Sequence, residues 1–422
     1  MTRIPLFGLI LLALLSASRR ATATPAFEEW PQWRGPRGDG TSLEQNVPTH
    51  WSATQNIAWK TPVPGMGHSS PVVFGDRIFL TTCIENSNQR VLLCYSRKNG
   101  RLLWQRDVFT SPLEQINQLN SFASATPCTD GRHVWVSFLE KPNIELVCYD
   151  MDGKETWRKS PGSFSSIHGY CSSPVFYKDM ILLNCDQDAP AFIVAFDKEA
   201  GIERYRINRP NRTRSYCTPT IFDVNGHPQM MLSGSKCVAS YNPDTGKQIW
   251  IINGPTEQYV ASIVMTDGVA FMTGGFPEHH IMGIDPTGTG NLTHTSKILW
   301  HNKTDHRAVS YVPSPVAYRD WFFLVSDGGL ATCWQATSGK QLWKKPISNH
   351  QSASGILAGG NAYFTADDGQ TTVFKAGPKF EEVSKNALGE ECRASPAVSR
   401  GQIFIRTLHT LWCIGADRIS RK

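Results

Sequence analysis

One short pattern returns along this chain: a glycine followed four residues later by a tryptophan. It occurs at Gly100 to Trp104, Gly153 to Trp157, Gly246 to Trp250 and Gly339 to Trp343, with Gly201 to Tyr205 as an aromatic variant. A local pattern repeated every ~40–50 residues marks an array of like supersecondary units that stack to bury a shared core. On that reading the 422 residues form one domain with a continuous core. Composition agrees with many short strands and tight turns, since the chain has 34 Gly, 26 Pro and 13 Trp but only 18% charged residues. No long segment carries a helical period.

Each unit opens with small residues, a proline and a short apolar strand. The clearest copies are Ser69-Ser70-Pro71-Val72, Ala125-Thr126-Pro127, Ser172-Ser173-Pro174-Val175, Cys217-Thr218-Pro219, Ser314-Pro315-Val316 and Ala394-Ser395-Pro396. Divergent copies at Ala261-Ser262-Ile263 and Ala353-Ser354-Gly355 bring the total to eight. Proline is tolerated at a strand start because its missing N–H lies at the end of the ladder. Hairpin dipeptides such as Gly75-Asp76, Asp130-Gly131, Asn225-Gly226 and Asp267-Gly268 follow, then an apolar strand, a third strand and the Gly-x-x-x-Trp turn into a fourth. The expected fold is therefore all-β, an eight-bladed β-propeller of four-stranded antiparallel blades. The eighth unit stops near Cys413-Ile414 without a fourth strand, whereas Trp59 sits on a fourth-strand pattern with no unit before it. Residues 56–63 are expected to complete the last blade and close the ring, with the propeller spanning 56–415, an arm at 24–55 lying over the ring and a tail at 416–422.

Residues 1–23 read as an export signal, with Arg3, an apolar run from Leu6 to Leu15 and the small triplet Ala21-Thr22-Ala23; Arg19 and Arg20 before that triplet leave retention as an N-terminal anchor as the alternative to cleavage. A periplasmic or cell-envelope location follows, with no later membrane span. No cysteine precedes Cys83, so a lipid-bearing N-terminal cysteine is not expected. Of the net charge of +6, three positive charges (Arg3, Arg19, Arg20) fall in this leader. The remaining balance is mild, and nucleic acid is not an expected partner. Eleven cysteines at these spacings do not form a disulfide framework. Cys94, Cys148, Cys333 and Cys413 share one repeat position and read as small core residues.

The units resemble the pyrroloquinoline-quinone-like (PQQ-like) repeat, in which each blade ends in Asp-x-x-Thr-Gly-x-x-x-Trp. Asp244 to Trp250 and Thr337 to Trp343 carry this resemblance, and Trp30 to Pro36 is similar to the start of secreted members. The Trp-Asp dipeptide of the WD repeat is absent. The resemblance covers residues 30–415 and implies eight blades with the tryptophan packed between neighbours. It leaves two functions open, because the family includes calcium- and quinone-dependent dehydrogenases and also non-catalytic docking proteins of the BamB type. Dehydrogenases of the alcohol type carry a vicinal disulfide and a calcium-site carboxylate set. This chain has no adjacent cysteines, so it resembles the non-catalytic branch more closely. A non-catalytic scaffold is expected, binding another protein or an anionic polymer, as a monomer and without a metal or cofactor. PQQ and calcium belong only to the alternative, a quinoprotein oxidoreductase with a divergent site.

In a propeller, the blade-to-blade connections share a face with the turns between second and third strands, and that face usually carries the site. Here those connections hold His68, His168, Tyr170, Arg214, Tyr216, Tyr259, His306, Arg307, Tyr311, His350 and Arg393. These residues are the expected ligand-binding ring at the funnel mouth, suited to an anionic or aromatic ligand or an acidic tail. Five arginines between Arg204 and Arg214 form the densest basic stretch. Asp186-Gln187-Asp188, Asp327-Gly328-Gly329 and Asp367-Asp368-Gly369 are read as turn chemistry, not as calcium ligands. His279-His280 lacks further ligands at zinc spacing. No hydrolase or phosphate-loop motif occurs.

Overall fold

A computed structural model describes residues 27–303 and 306–416. The leader expected at 1–23, the tail after Ala416 and the side chain of His306 lie outside the described residues. The innermost strands of blades 1 to 8 are Val72–Phe74, Cys128–Thr129, Val175–Tyr177, Thr220–Val224, Val264–Thr266, Val316–Tyr318, Ile356–Ala358 and Ala397–Ser399. Each leads outward through antiparallel neighbours, as in blade 1 through Arg77–Ile84 and Gln89–Ser96 to Leu102–Thr110. The result is the eight-bladed all-β propeller expected from the repeats. In blade 4, Gly290–Asn291 adds a short parallel bridge to the outer strand Gln248–Asn253. Among the described residues no helix is long and apolar enough to cross a membrane.

Burial follows from this radial layout. Middle strands such as Arg77–Ile84 and Gln89–Ser96 bury side chains on both faces, because each face meets a neighbouring blade. Outer strands such as Ile298–Lys303 alternate between half-buried and exposed, which is the period of a strand with one covered face.

The repeated glycine and tryptophan belong to a single contact between blades. The indole N–H of Trp59 donates to the Arg97 carbonyl of blade 1 at 2.8 Å. Trp104 reaches Met151 at 3.1 Å, Trp157 reaches Lys198 at 3.0 Å, Trp300 reaches Ala336 at 2.7 Å and Trp343 reaches Gly377 at 3.1 Å. Tyr205 makes the same link through its hydroxyl to Pro243 at 2.7 Å. The rings of Trp59, Trp104, Trp157, Tyr205 and Trp300 lie on the next blade's turn glycine, whereas Trp343 packs edge-on against Phe374 and Phe380. Gly100 has φ +70° and a β-carbon there would sit 2.5 Å from the Trp59 ring, so both backbone conformation and space demand glycine. The shared cysteine position has a related cause. Cys94, Cys148, Cys333 and Cys413 pair across the sheet with Trp104, Trp157, Trp343 and Trp59, where other blades place Ala195, Ser240 and Gly283. A small residue lets the indole lie flat. All eleven cysteines are free thiols, and burial pushes Cys94, Cys148 and Cys333 up to about 12.

The ring closes as the sequence leads one to expect. Ile57–Pro62 pairs antiparallel with Thr410–Ile414, with Trp59 opposite Cys413 and its ring 6.2 Å from Phe404. The preceding segment crosses the end of the channel where the innermost strands finish. Trp30 exchanges backbone hydrogen bonds with Val73, Pro31 accepts from Thr129, Gln32 accepts from Phe176, and Ser42 donates to Leu357. The Glu44 carboxylate accepts the amide of Arg400 at 2.6 Å and that of Gly401. The arm therefore touches blades across the whole diameter and caps one end of the central channel.

Trp59→Ala removes both the indole bond and the packing that join the first and last segments. Trp59 is half-buried, so we expect a loss of roughly 2–4 kcal/mol in urea unfolding, somewhat below the ~3–5 kcal/mol of fully buried large aromatic truncations. Deleting residues 56–62 exposes the edge of Thr410–Ile414 and should convert the protein to oligomers in size-exclusion chromatography.

Candidate functional site

The openings of the blades form the wall of the channel. The Ser70 amide donates to Thr126 Oγ1, Thr126 to Ser173 Oγ, Ser262 to Ser314 Oγ, Ser314 to Ser354 Oγ, Ser354 to Ser395 Oγ and Ser395 back to Ser70 Oγ, all at 2.9–3.0 Å. Ser262 Oγ donates to the Thr218 carbonyl at 2.6 Å. The recurring hydroxyl before proline is thus a belt of amide-to-hydroxyl bonds around the axis. It satisfies amides that no strand partner reaches.

Above this belt lies a cavity of about 330 Å³. Six of the expected mouth residues line it: His68, His168, Tyr216, Tyr311, His350 and Arg393. Trp33, Asn117, Asn120 and Asp327 join them. Four of the other expected residues stand elsewhere, and the side chain of His306 lies outside the described residues. Tyr170 is buried edge-on against Phe164. Tyr259 is fully buried and donates to the Gly254 carbonyl. Arg214 pairs with Asp188 at 2.9 Å beside the lining residue His168. Arg307 is exposed on the connection into blade 6. Tyrosines at strand ends of a repeat fold are as readily captured by the core as by the channel, which is why sequence pattern alone does not separate Tyr216 from Tyr259.

The aspartates of the second-to-third-strand turns hold these connections in place. Asp186 binds Arg209 at 2.9 Å in a fully buried pair. Asp327 accepts the amides of Tyr311 and Val312 at 2.7 and 3.2 Å. Asp367 accepts the Ser352 amide and hydroxyl and faces His350 Nδ1 at 2.7 Å. Four of the five arginines in the basic stretch are likewise neutralised locally, with Arg204 on Asp197, Arg206 on Glu203, Arg209 on Asp186 and Arg214 on Asp188, while Arg212 is exposed. His280 meets His301 rather than a metal ligand set, with ring nitrogens 2.9 Å apart.

One corner of the cavity is electrostatically different. Arg393 lines it, its Nη1 is buried without a hydrogen-bond partner, and no carboxylate pairs with it among the described residues. Beside it Arg406 is buried, donating to Ser69 Oγ and the Thr81 carbonyl. Burial lowers Arg406 to about 10, so it stays charged at neutral pH. Burial, then repulsion from Arg406 and Arg393, holds His68 down at about 3. His68 is therefore a neutral donor and acceptor between two cations. Burial raises the carboxyl of Asp327 despite its two amide donors. A calcium ion takes ~6–8 oxygen ligands, several of them carboxylate. The lining offers Asp327 alone, already bonded to two amides, against a guanidinium and three imidazoles, and does not fit that ion. Sequence reading named Trp33 only as part of the arm and Asp327 only as a turn. The periodic Ser/Thr-Pro openings were the signal that a belt of hydroxyls lines the axis.

The His68 shift has a definite sign. The folded protein keeps this imidazole neutral while the unfolded chain takes up a proton below about pH 6.5. Stability present above that pH should fall as pH drops from 6.5 towards 3. His168, His280 and His301, also lowered chiefly by burial, act in the same direction. We expect melting temperatures to fall over this window and His68→Gln to flatten the slope. In NMR titration the His68 ring should keep its neutral-form shifts at pH 5.

The family model described as outer membrane protein assembly factor BamB matches residues 87–271 and 283–377. No curated protein matches. BamB from Moraxella catarrhalis is similar over 85% of this chain and 97% of its own, at 10% identity and a TM-score of 0.58. Quinohemoprotein alcohol dehydrogenase ADHIIG from Pseudomonas putida HK5 covers 91% of this chain and 80% of its own, at 10% identity and a TM-score of 0.63. The quinohemoprotein alcohol dehydrogenase of Comamonas testosteroni covers 94% and 82%, at 13% identity and a TM-score of 0.60. At such identities these likenesses establish the fold and leave activity open. The family match spans more than half of the sequence, and the chain belongs to the PQQ-like repeat propeller family described by BamB.

Proposed function

We propose that this protein is an exported, non-catalytic binding module of the cell envelope, acting as a monomer, whose funnel face docks an acidic segment of another protein or an anionic polymer. One observation carries the reading: the cavity at the funnel mouth holds a guanidinium, Arg393, with no carboxylate paired to it among the described residues. Other cations around the mouth, Arg209 and Arg214, are matched. A cavity that leaves one cation unmatched attracts an anion from outside.

Further support comes from the family description, which is that of an outer membrane assembly factor, and from a donor set that suits anions better than a divalent cation. The competing reading is a PQQ-dependent oxidoreductase, whose fold the dehydrogenase neighbours share. That reading needs a hard-cation site, and the cationic lining opposes one.

The two are separated by incubating the purified protein with PQQ and calcium and following dye reduction with primary alcohols and sugars. We expect no turnover above the protein-free blank. In parallel, fluorescent polyglutamate blocked at both ends should bind, and its affinity should fall as salt is raised. Sustained dye reduction, or failure to bind any anionic chain, overturns the proposal.

A further inference from the structure

We infer that the funnel is a receptor for a chain end, in which the free C-terminal carboxylate of a partner protein enters from the mouth and seats against Arg393. This rests on the binding-module reading above and narrows it to one chemistry.

The first support is topological. The cavity is blind, because the arm crosses the far end of the channel and Trp33 lines both this cavity and a separate groove on the other side. Glycine and arginine in the arm lock that crossing. Arg34 is fully buried and donates to the carbonyls of Asp39 and Pro315, and a β-carbon at Gly35 would sit 2.8 Å from the Trp30 ring. A chain cannot thread through such a channel. It can only enter end first and leave by the same mouth. At about 330 Å³ the space lies at the low end for ligand pockets, ~300–1,000 Å³, which suits the last residues of a chain and not a folded segment.

The second support is charge. Arg393 is half-buried with its Nη1 sealed from water and unpaired, and an ionised carboxylate offers a guanidinium two parallel hydrogen bonds. Arg406 adds positive potential behind Arg393, and neutral His68 can donate a further hydrogen bond. Among the described residues, the carboxylates Asp327 and Asp367 near the mouth are already engaged, Asp327 by two amides and Asp367 by Ser352 and His350. They do not compete for Arg393.

The third support lies at the rim. Ile167 is 55% exposed and Phe276 52% on loops of the mouth face outside the cavity, and Leu119, 41% exposed, lines its edge. A small carboxylic acid inside the funnel would not reach the loop of Phe276, whereas the residues preceding a docked terminus would pass over the rim. Tyr216, Tyr311 and Trp33 supply ring surface within for the terminal side chain, as apolar walls with few polar groups do in other pockets.

The test uses the full-length protein and a fluorescent random-sequence peptide pool in two forms, one with a free C-terminus and one amidated. The free pool should bind at least 10-fold more tightly than the amidated pool. In Arg393→Gln that preference should vanish, as expected when the two groups interact directly. Arg393→Lys should keep part of it, and melting temperatures of both variants should match or exceed that of the parent because the buried, unpaired Nη1 has been removed. Equal binding of the two pools overturns the chain-end inference while leaving the binding-module reading in place. Indole-3-acetate that binds as tightly as the free pool and displaces it also overturns it, in favour of a small aromatic acid. If neither pool nor blocked polyglutamate binds, both readings fall.

Discussion

The structure depends on one repeated contact: an outer-strand aromatic ring laid over the turn glycine of the next blade, its polar edge bonded to a carbonyl in that turn. A sheet of four strands cannot cover its own faces, so each blade is stable only against its neighbours. The indole does this with both of its properties. Its ring fills the wedge between diverging outer strands, and its N–H satisfies a turn carbonyl that would otherwise be sealed under the ring. The small cross-strand residue beneath, cysteine in blades 1, 2, 6 and 8, is a consequence of the same contact. Blade 4 shows what happens when the geometry changes. Trp250 is fully buried and bonds Gln229, which in turn donates to the Pro286 carbonyl, so a side-chain relay replaces the direct link where the following segment 285–297 is longer.

Because these contacts fix the outer rim, the inner ends of the blades are free to carry something other than stability. The belt of Ser and Thr hydroxyls ties the innermost strands together with short bonds that leave the axis open. Turn aspartates then reach across to the connections and hold them by their amides or cations. This arrangement pre-organises the mouth, since connections fastened at both ends present their side chains without further ordering on binding. It also makes the unmatched Arg393 informative. Neighbouring connections bring a carboxylate to Arg209 and Arg214, whereas Arg393, which lines the cavity, has none among the described residues, and such departures concentrate at functional sites.

Most of the architecture was readable in the residues because repetition multiplies weak signals. The Gly-x-x-x-Trp spacing, the proline at each opening and the orphaned Trp59 led to the blade count and the closure by residues 56–63, as paired in the structure. The site was less legible. Connections have no period, so the eleven mouth residues could be placed on a face but not pointed inward or outward. Tyr170 and Tyr259 went to the core, while Tyr216 and Tyr311 line the cavity. Trp33 lies about 35 residues upstream of the first blade connection and joins the cavity only through the path of the arm, which no local pattern encodes. Arg393 looked like any loop arginine. What distinguishes it is an unpaired Nη1 and no paired carboxylate among the described residues, a property of three-dimensional surroundings.

The arm links these two levels. Closing the ring with an N-terminal outer strand requires the chain to reach blade 8 before blade 1 begins, and the preceding residues must lie somewhere nearby. Here they run across the channel end, held by backbone bonds to Val73, Thr129 and Leu357 and by Glu44 on the amides of Arg400 and Gly401. Buried Arg34 and the glycines around it make the crossing tight enough to seat Trp33 against the axis. The same topological device that removes a sheet edge therefore also turns an open channel into a closed-ended cavity. Inside such a space water is limited and the effective dielectric is lower than at the surface, so the field of Arg393 and Arg406 acts over a longer distance than it would in an open tunnel. The chemistry offered at the mouth is thus set partly at the opposite face, by how the first segment is stowed.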